Sequence, residues 1–169
     1  MREFLFRGKW IGNQTWEEGY YVHIRDDFKD KESHRIYSGT AETYCGEFYE
    51  DFFEVDPETV SQWTGMYDNT KWEDLTEKER EEFTRNGNFP SEWNGKKIFE
   101  GDICRVNLGN EILNGYVEYD ERCGAWRIIF KEPHCILFLD LWFKRNEPGI
   151  WCEVIGNRWD NPELLKDGE

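Results

Sequence analysis

The chain has 169 residues, which fits one domain of ordinary size or two small ones. Only 38% of the residues are apolar but 17% are aromatic, so the composition excludes general disorder and predicts a strand-rich fold with an aromatic core. The net charge of −15 disfavours sequence-independent binding to the phosphate backbone of nucleic acids.

The five cysteines are odd in number and widely spaced, and none forms a CxxC pair. We therefore interpret them as free thiols and predict neither a metal site nor a cofactor. Cys104 and Cys135 lie in apolar runs, which favours buried side chains. The chain lacks an apolar run of the length that a signal peptide or a membrane-spanning helix needs. We expect a cytoplasmic protein without a membrane partner.

The negative charge is concentrated in one segment. Residues 42–82 contain 14 acidic and three basic residues, a net charge of −11, which leaves −4 for the rest of the chain. Such a segment favours a basic partner. The alternative interpretation is a solvated surface that keeps the protein soluble and monomeric.

The N-terminal part is predicted to begin with a β-hairpin. Its strands are expected at 4–7 and 19–24, with a turn at Gly12 and Asn13. The polar stretch from Arg25 to Glu50 favours long loops or a weak edge strand. Further strands are expected at 52–55, ending at Asp56-Pro57, and at 60–67.

The clearest helix signal lies at residues 76–85. Thr76 and Glu79 have the spacing of a capping box, and the run TEKEREEF consists of good helix formers. Trp72, Leu75 and Phe83 fall near one face and are expected to dock the helix. Three acidic residues are expected to face water: Glu77, Glu81 and Glu82.

Asn-Gly pairs follow the helix. Asn86-Gly87 is a helix stop signal. Asn94-Gly95 predicts a hairpin, because both residues tolerate the positive φ of a type I′ turn. Six short strands are expected beyond it, at 97–99, 103–108, 115–119, 125–130, 135–138 and 151–155. Turns are expected at 100–102, 114–115, 120–124 and 147–149, and a helical turn at 161–165.

This succession predicts a mainly β protein. The fold class is a small SH3-like, partly open β-barrel with an N-terminal β-hairpin region and one short inserted α-helix. The expected division is a β-rich region at 1–68, a helical acidic insertion at 69–93 and the barrel at 94–169. One integrated domain over 1–169 is the alternative.

No familiar catalytic motif is present, so no enzymatic activity is predicted. Glu100-Gly101-Asp102 would place two carboxylates for acid–base chemistry or a hard cation, but a tight turn explains the same residues. Asp56 is likewise interpreted as an Asx-turn residue. His134 adjoins Cys135, but neighbours along a strand point to opposite faces, which argues against a catalytic dyad.

Four aromatic residues lie among carboxylates: Trp63, Tyr67, Trp72 and Trp93. A stacking platform for nucleic-acid bases needs basic neighbours, which are almost absent from 42–70. We therefore interpret the aromatic series as core or protein interface. Lys96, Lys97 and Arg105 form a modest basic patch, which keeps weak nucleic-acid binding as an alternative.

Three blocks carry a family pattern: EVDPETVSQWTGMYD at 54–68, NGKKIFEGDICRV at 94–106 and EVIGNRWDNPELL at 153–165. With FRGKW at 6–10, they resemble the YopX family of phage and prophage proteins along the whole chain. The resemblance implies a β-rich fold and no established activity, and it leaves 69–93 as an insertion. The residues of the pattern are interpreted as structural: Asp56, Pro57, Thr64, Gly65, Asn94, Gly95, Glu100, Gly101, Asp102, Gly156, Asn157, Asn161 and Pro162.

The leading hypothesis is a non-enzymatic phage or prophage accessory protein that acts in a bacterial host by binding a host or phage protein. Exposed edge strands in an open barrel also favour self-association. The candidate interaction residues are Trp63, Tyr67, Trp72, Trp93, Glu77, Glu81 and Glu82. One alternative is an acidic nucleic-acid mimic that inhibits a host DNA-binding protein, and another is a weak nucleic-acid-binding barrel.

Overall fold

The computed structural model describes residues 4–26, 31–44, 47–85, 87, 89–109, 111–131, 136–138 and 149–165. Over these residues the protein is mainly β, with eleven strands in two antiparallel sheets and one α-helix, which confirms the predicted fold class. The chain divides into two compact units, 1–63 and 64–169. None of the helices in these ranges is long and apolar enough to cross a membrane.

The first unit consists of long antiparallel strands. They are β1 (Phe6–Lys9), β2 (Trp16–Asp26), β3 (Lys31–Tyr44), β4 (Glu47–Glu54) and the start of β5 (Ser61–Tyr67). Their order is β4-β3-β2-β1-β5. The predicted N-terminal hairpin is confirmed, since β1 pairs with β2 across a turn that contains Gly12 and Asn13.

The prediction of long loops or a weak edge strand between Arg25 and Glu50 is wrong. β3 is a long inner strand with β2 on one side and β4 on the other. Its backbone groups find partners on both sides, and such pairing outweighs the low strand preference of polar side chains. Ile36 anchors the strand because its side chain is fully buried.

The second unit begins with the rest of β5 and a helical segment. A 3-10 turn at Trp72–Asp74 precedes α1 (Glu77–Arg85), and another at Pro90–Glu92 follows it. The predicted helix is thus confirmed, although the stop signal at Asn86 lies outside the described residues. β6 (Lys97–Phe99) is the neighbour of β5.

A five-stranded antiparallel sheet completes the second unit. Its strands are β7 (Asp102–Leu108), β8 (Ile112–Asp120), β9 (Ala125–Phe130), β10 (Ile136–Phe138) and β11 (Ile150–Asn157). The order is β10-β9-β8-β7-β11, and a 3-10 turn at Pro162–Leu165 follows. Over the described residues neither sheet closes on itself, which is consistent with a partly open, barrel-like fold.

The core of the second unit lies on one face of this sheet. In β9, alternate residues are buried, as expected for a strand with one face on a core. The buried cluster contains Ile98, Cys104, Val106, Val117, Trp126, Ile128, Phe130 and Cys152. Cys104 is a buried free thiol, as interpreted from the sequence, whereas Cys45, His134, Cys135 and the turn at 147–148 lie outside the described residues.

Two glycines predicted in turns have other roles. Asn94-Gly95 does not join a strand pair, because a 3-10 turn precedes it. Gly95 has φ +112°, and a Cβ there would lie 2.2 Å from the Asp68 carbonyl oxygen, so the glycine permits a close backbone approach. Gly115 lies inside β8, where a Cβ would lie 2.8 Å from the Ile129 carbonyl oxygen.

Candidate functional site

Asp68 is a buried carboxylate at the end of β5, with 3% of the residue exposed. One carboxylate oxygen accepts hydrogen bonds from the amides of Thr70 and Lys96, at 3.0 and 2.7 Å. The other accepts from the Thr70 hydroxyl at 2.6 Å and from the Val154 amide at 2.8 Å. Four donors therefore satisfy the buried charge, and they tie β5 to β11 and to the approach to β6.

Asn69 continues this attachment to β11. Its amide donates to the Cys152 carbonyl oxygen at 2.8 Å, and its side-chain oxygen accepts from the Cys152 amide at 2.8 Å. Thr70 follows with a carbonyl oxygen that accepts from the Trp93 indole at 2.8 Å. The path of residues 68–70 is thus determined by contacts with distant parts of the unit.

Trp72, Phe83 and Trp93 form a cluster of three rings, named here the aromatic triad. The ring centroids are 5.5 Å apart for Trp72 and Phe83, 5.8 Å for Trp72 and Trp93, and 5.1 Å for Phe83 and Trp93. All three pairs are edge-to-face, the arrangement that the aromatic quadrupole favours. Leu75 is buried beside the start of α1. The expectation that Trp72 and Phe83 dock the helix is confirmed, and Leu75 is buried.

The predicted capping box at the start of α1 is confirmed. The Glu79 carboxylate accepts from the Thr76 amide and hydroxyl at 2.8 and 2.7 Å, and the Thr76 hydroxyl accepts from the Glu79 amide at 3.3 Å. Lys96 also lies 2.8 Å from this carboxylate. Partial burial raises the pKa of Glu79, but the hydrogen bonds from Lys96 and Thr76 outweigh it and bring the pKa to about 2.

The opposite side of α1 is strongly acidic. Glu77, Glu81 and Glu82 are exposed, as expected, and are named here the acidic face. Lys78 makes a 3.8 Å ion pair with Glu82 in which both side chains are mostly exposed, so water screens it strongly. Arg80 instead donates to the carbonyl oxygens of Glu73 and Leu75. The exposed Lys78 therefore compensates the charge of Glu82 only weakly.

A cleft of about 500 Å³ lies next to the aromatic triad. Trp72 and Trp93 line it together with polar residues of the same segment: Asp68, Asn69, Thr70, Lys71, Glu73, Pro90 and Asn94. Because Phe83 of α1 packs on both tryptophans, the helix that bears the acidic face also supports the cleft wall. Tyr67 of β5 and Trp63 of the first unit are not among the residues that line the cleft.

The residues of the 54–68 block have turn and strand contacts. The Asp56 side chain accepts from the Glu58 amide at 3.0 Å, which is an Asx turn, and Pro57 begins the 3-10 turn at Pro57–Thr59. The buried Thr64 hydroxyl donates to the Ile98 carbonyl oxygen at 2.8 Å. Gly65 has φ +84°.

The Glu100-Gly101-Asp102 group has the contacts of a tight turn. Asp102 is buried and its carboxylate accepts from the Phe99 amide at 2.7 Å. Gly101 has φ +75° and donates to the Val117 carbonyl oxygen at 2.8 Å. Burial, followed by the charge of Glu118, raises the pKa of Glu100. The carboxylates of Glu100 and Asp102 therefore have different environments. The Asp102 carboxylate accepts a hydrogen bond from a backbone amide.

The C-terminal block folds back on itself. The Asn157 side-chain oxygen accepts from the amides of Trp159 and Asp160 at 3.1 and 2.9 Å. Asn161 packs closely against Gly156. A Cβ atom on residue 156 would lie 2.5 Å from the Asn161 side-chain oxygen. Pro162 begins the final 3-10 turn. The Leu164 carbonyl oxygen in this turn accepts a hydrogen bond from the Asn114 side chain of β8.

The predicted basic patch is weakened by an ion pair. Lys96 lies 2.8 Å from Glu79, so much of its charge is compensated. Lys97 is half-buried and Arg105 is exposed. Phosphate binding needs clustered and available cations, so this arrangement lends little support to the nucleic-acid alternative.

The fold and the site define a mainly β protein with an aromatic cleft beside an acidic helix. Residues 91–166 match the model of the YopX protein family, so this part of the chain is similar to that family. The predicted resemblance is confirmed over that range, which includes the blocks at 94–106 and 153–165. The block at 54–68 and the opening FRGKW lie outside the match. No curated protein and no solved structure matches the chain significantly.

Asp68 is the main residue of the site that sequence reasoning did not assign. The run Asp68-Asn69-Thr70 after a strand is typical of an Asx turn, and this local signal was available. The contacts with Lys96 and Val154 bridge 28 and 86 positions, and no local pattern predicts them.

Proposed function

We propose that this protein acts by binding, not by catalysis, and that it holds a basic segment of a protein partner at the cleft beside the acidic face. It would serve as an accessory protein of a phage or prophage in the bacterial host. The observation that carries the proposal is the packing of both cleft tryptophans on the helix that bears the acidic face.

The cleft has the size of a recognition site and two aromatic residues in a mostly polar lining. Its volume of about 500 Å³ lies within the usual range of about 300–1,000 Å³ for ligand pockets. Trp72 and Trp93 supply large, rigid ring surfaces, and tryptophan is the residue most enriched at energetically dominant interface positions. The Trp93 indole already donates to Thr70, so its orientation is set before a partner binds.

The charge of the site favours a cationic partner. Glu77, Glu81 and Glu82 are exposed on α1, and Glu73 lines the cleft. A lysine or arginine that enters the cleft would meet Glu73 and the tryptophan rings, and each kind of contact stabilises a cation. Further basic residues of the partner would reach Glu77, Glu81 and Glu82 on the other side of α1. Lys71 is the cation among the residues that line the cleft. It would favour a partner segment that carries an acidic side chain next to its basic side chains.

The acidic face also supports a second candidate, inhibition of a host DNA-binding protein by mimicry of nucleic-acid charge. A DNA-binding protein carries a basic surface for the phosphate backbone, and DNA would compete with this protein for that surface. Self-association through the same face is disfavoured, because two copies would bring like charges together.

Capture from a bacterial lysate tests the proposal. The immobilised full-length chain is compared with a triple variant of the acidic face, Glu77→Gln, Glu81→Gln and Glu82→Gln. The matched control neutralises three exposed glutamates elsewhere in the second unit: Glu111→Gln, Glu121→Gln and Glu163→Gln.

We expect basic proteins to be captured in low salt, lost in high salt, retained by the control and lost by the acidic-face variant. Binding of an isolated partner should change the tryptophan fluorescence of the chain. Elution by added DNA would favour the nucleic-acid mimic. Capture of the same proteins by both triple variants would contradict the proposal.

A further inference from the structure

Two histidines and a glutamate meet on one face of the β2–β3 strand pair. In this antiparallel pair, His23 lies opposite His34 and Arg25 lies opposite Glu32. Side chains two positions apart on a strand share a face, so Glu32 and His34 point to the same side as His23. One ligand atom from each of the three lies within 4.8 Å of the other two. Imidazole and carboxylate groups are ligand types that transition metals accept in proteins.

The distances are close to those of a coordinated ion. His23 Nε2 lies 3.6 Å from Glu32 Oε2. Ligands about 2.1 Å from a tetrahedral Zn²⁺ ion lie about 3.4 Å from one another. The two imidazole rings are stacked at 4.4 Å, 8° from parallel, so one ring must turn for both lone pairs to converge. The χ2 torsion of histidine is broad and 45% of the His23 side chain is exposed, which allows this turn.

Tyr21 orients the second histidine. Its hydroxyl lies 2.6 Å from His34 Nδ1. A neutral His34 with its proton on Nδ1 donates to the Tyr21 oxygen and leaves the Nε2 lone pair for a metal, which is the usual outer-shell arrangement of metal-binding histidines. Phe6 packs on the Tyr21 ring with centroids 5.6 Å apart, and burial raises the pKa of Tyr21. His34 is thus the preoriented ligand, and His23 and Glu32 adjust around it.

We propose that His23, Glu32 and His34 bind a divalent transition-metal ion, with Zn²⁺ as the best fit. Two imidazoles and one carboxylate form a set that holds Zn²⁺ and leaves a fourth position for water. The same donors suit Ni²⁺ and Cu²⁺. The first unit, residues 1–63, has 14 acidic and seven basic residues, so its net charge of −7 also favours a cation. Arg25 is the competing cation beside Glu32.

The ion would clip β2 to β3 and stabilise the first unit in proportion to its affinity. No metal site was predicted from the sequence, because that expectation rested on the cysteines. The Glu32-x-His34 spacing was a local signal, but the third ligand depends on the register between two strands. This site is independent of the cleft in the second unit.

Isothermal titration of Zn²⁺ into the metal-free full-length chain tests the proposal. We expect one ion per chain with micromolar affinity, and at least a tenfold loss in His23→Gln and in Glu32→Gln. The control is Glu18→Gln, which removes the same charge from an exposed position on β2 and should bind Zn²⁺ like the unsubstituted chain. Imidazole proton resonances of His23 and His34 should shift when Zn²⁺ is added.

Tyr21→Phe tests the outer shell. The ring stays and only the hydroxyl is lost, so the circular dichroism spectrum should not change while Zn²⁺ affinity falls about tenfold. Absence of binding, or equal affinity in the unsubstituted chain, His23→Gln and Glu32→Gln, would overturn the metal site. His23 is the more exposed histidine, so its variant provides a folded test case if Glu32→Gln does not fold.

Discussion

Glu79 and Lys96 form an ion pair with 2.8 Å between Oε1 and Nζ, and this pair joins α1 to the segment just before β6. Glu79 lies outside the part of the chain that matches the YopX family, whereas Lys96 lies inside it. The same carboxylate also caps the helix through Thr76. One side chain thus caps the start of α1 and attaches the helix to the part of the chain that matches the family model.

The ion pair predicts a specific loss of stability in acid. The folded-state pKa of Glu79, about 2, lies below the ordinary value of 4.5, so its charge favours the folded state above pH 4.5 and this contribution is lost as the pH falls towards 2. Glu79→Gln keeps a capping side chain and removes the charge. We expect it to lower the free energy of unfolding at pH 7 by at most about 1 kcal/mol, since both partners are partly exposed and solvent screens them.

Urea unfolding at pH 7 and pH 2.5 measures this effect. The difference between Glu79→Gln and the unsubstituted chain should shrink at the lower pH. Glu82→Gln is the matched control, because the Glu82–Lys78 pair is more exposed. An equal difference at both pH values would show that the charge is not responsible.

Glu100 should behave in the opposite way. Burial, followed by the charge of Glu118, raises its pKa, so its ionisation opposes folding as the pH rises through the folded-state pKa. Glu100→Gln is expected to raise the free energy of unfolding at pH 7 by at most about 0.5 kcal/mol, since the group is only partly buried and solvent screens its charge. The gain should vanish at pH 4, where the acid is mostly protonated in the folded and unfolded states. Glu163→Gln, an exposed position, should show no such gain in the same urea titrations.

Asp68→Asn tests the carboxylate that ties β5 to β11. The amide nitrogen of asparagine is a donor and cannot accept from the amide of Lys96 or Val154, so at least one buried donor loses its partner. We expect a loss of about 2–4 kcal/mol in the free energy of unfolding. Asp74→Asn changes an exposed aspartate of the Trp72–Asp74 turn and should have little effect. Similar stabilities of the two variants would contradict the role assigned to Asp68.

Phe83→Ala tests the docking of α1. The substitution removes two of the three ring contacts of the aromatic triad, while the sheet of the second unit keeps its own core. Amide hydrogen exchange in α1 should become at least tenfold faster, and exchange in β7 and β8 should stay the same. Thr84→Ala, at an exposed neighbouring position, should leave exchange in α1 nearly unchanged. Unaltered exchange in Phe83→Ala would show that the triad does not hold the helix.

Local signals predicted the elements whose stabilising contacts are close in sequence. The Thr76–Glu79 capping box spans three positions, the β1–β2 partners are 7 to 13 positions apart, and Trp72 is 11 positions from Phe83. Composition also indicated a mainly β fold. Aromatic side chains pack well on strands, whichever strands pair with one another. The prediction of loops at 25–50 failed because the polar side chains give little strand signal, whereas backbone pairing on both sides of β3 outweighs their low strand preference.

The sequence by itself therefore determined the class of fold, the helix α1 with its acidic face, and the resemblance of residues 91–166 to the YopX family. Only the tertiary structure decided which of these features meet. It placed Trp72 and Trp93 at one cleft, directed the Asp68 carboxylate to donors 28 and 86 positions away, and set His23 opposite His34. The physical reason is that hydrogen bonds and metal ligands act over a few ångströms in space, and strand register, not sequence spacing, brings distant residues within that range.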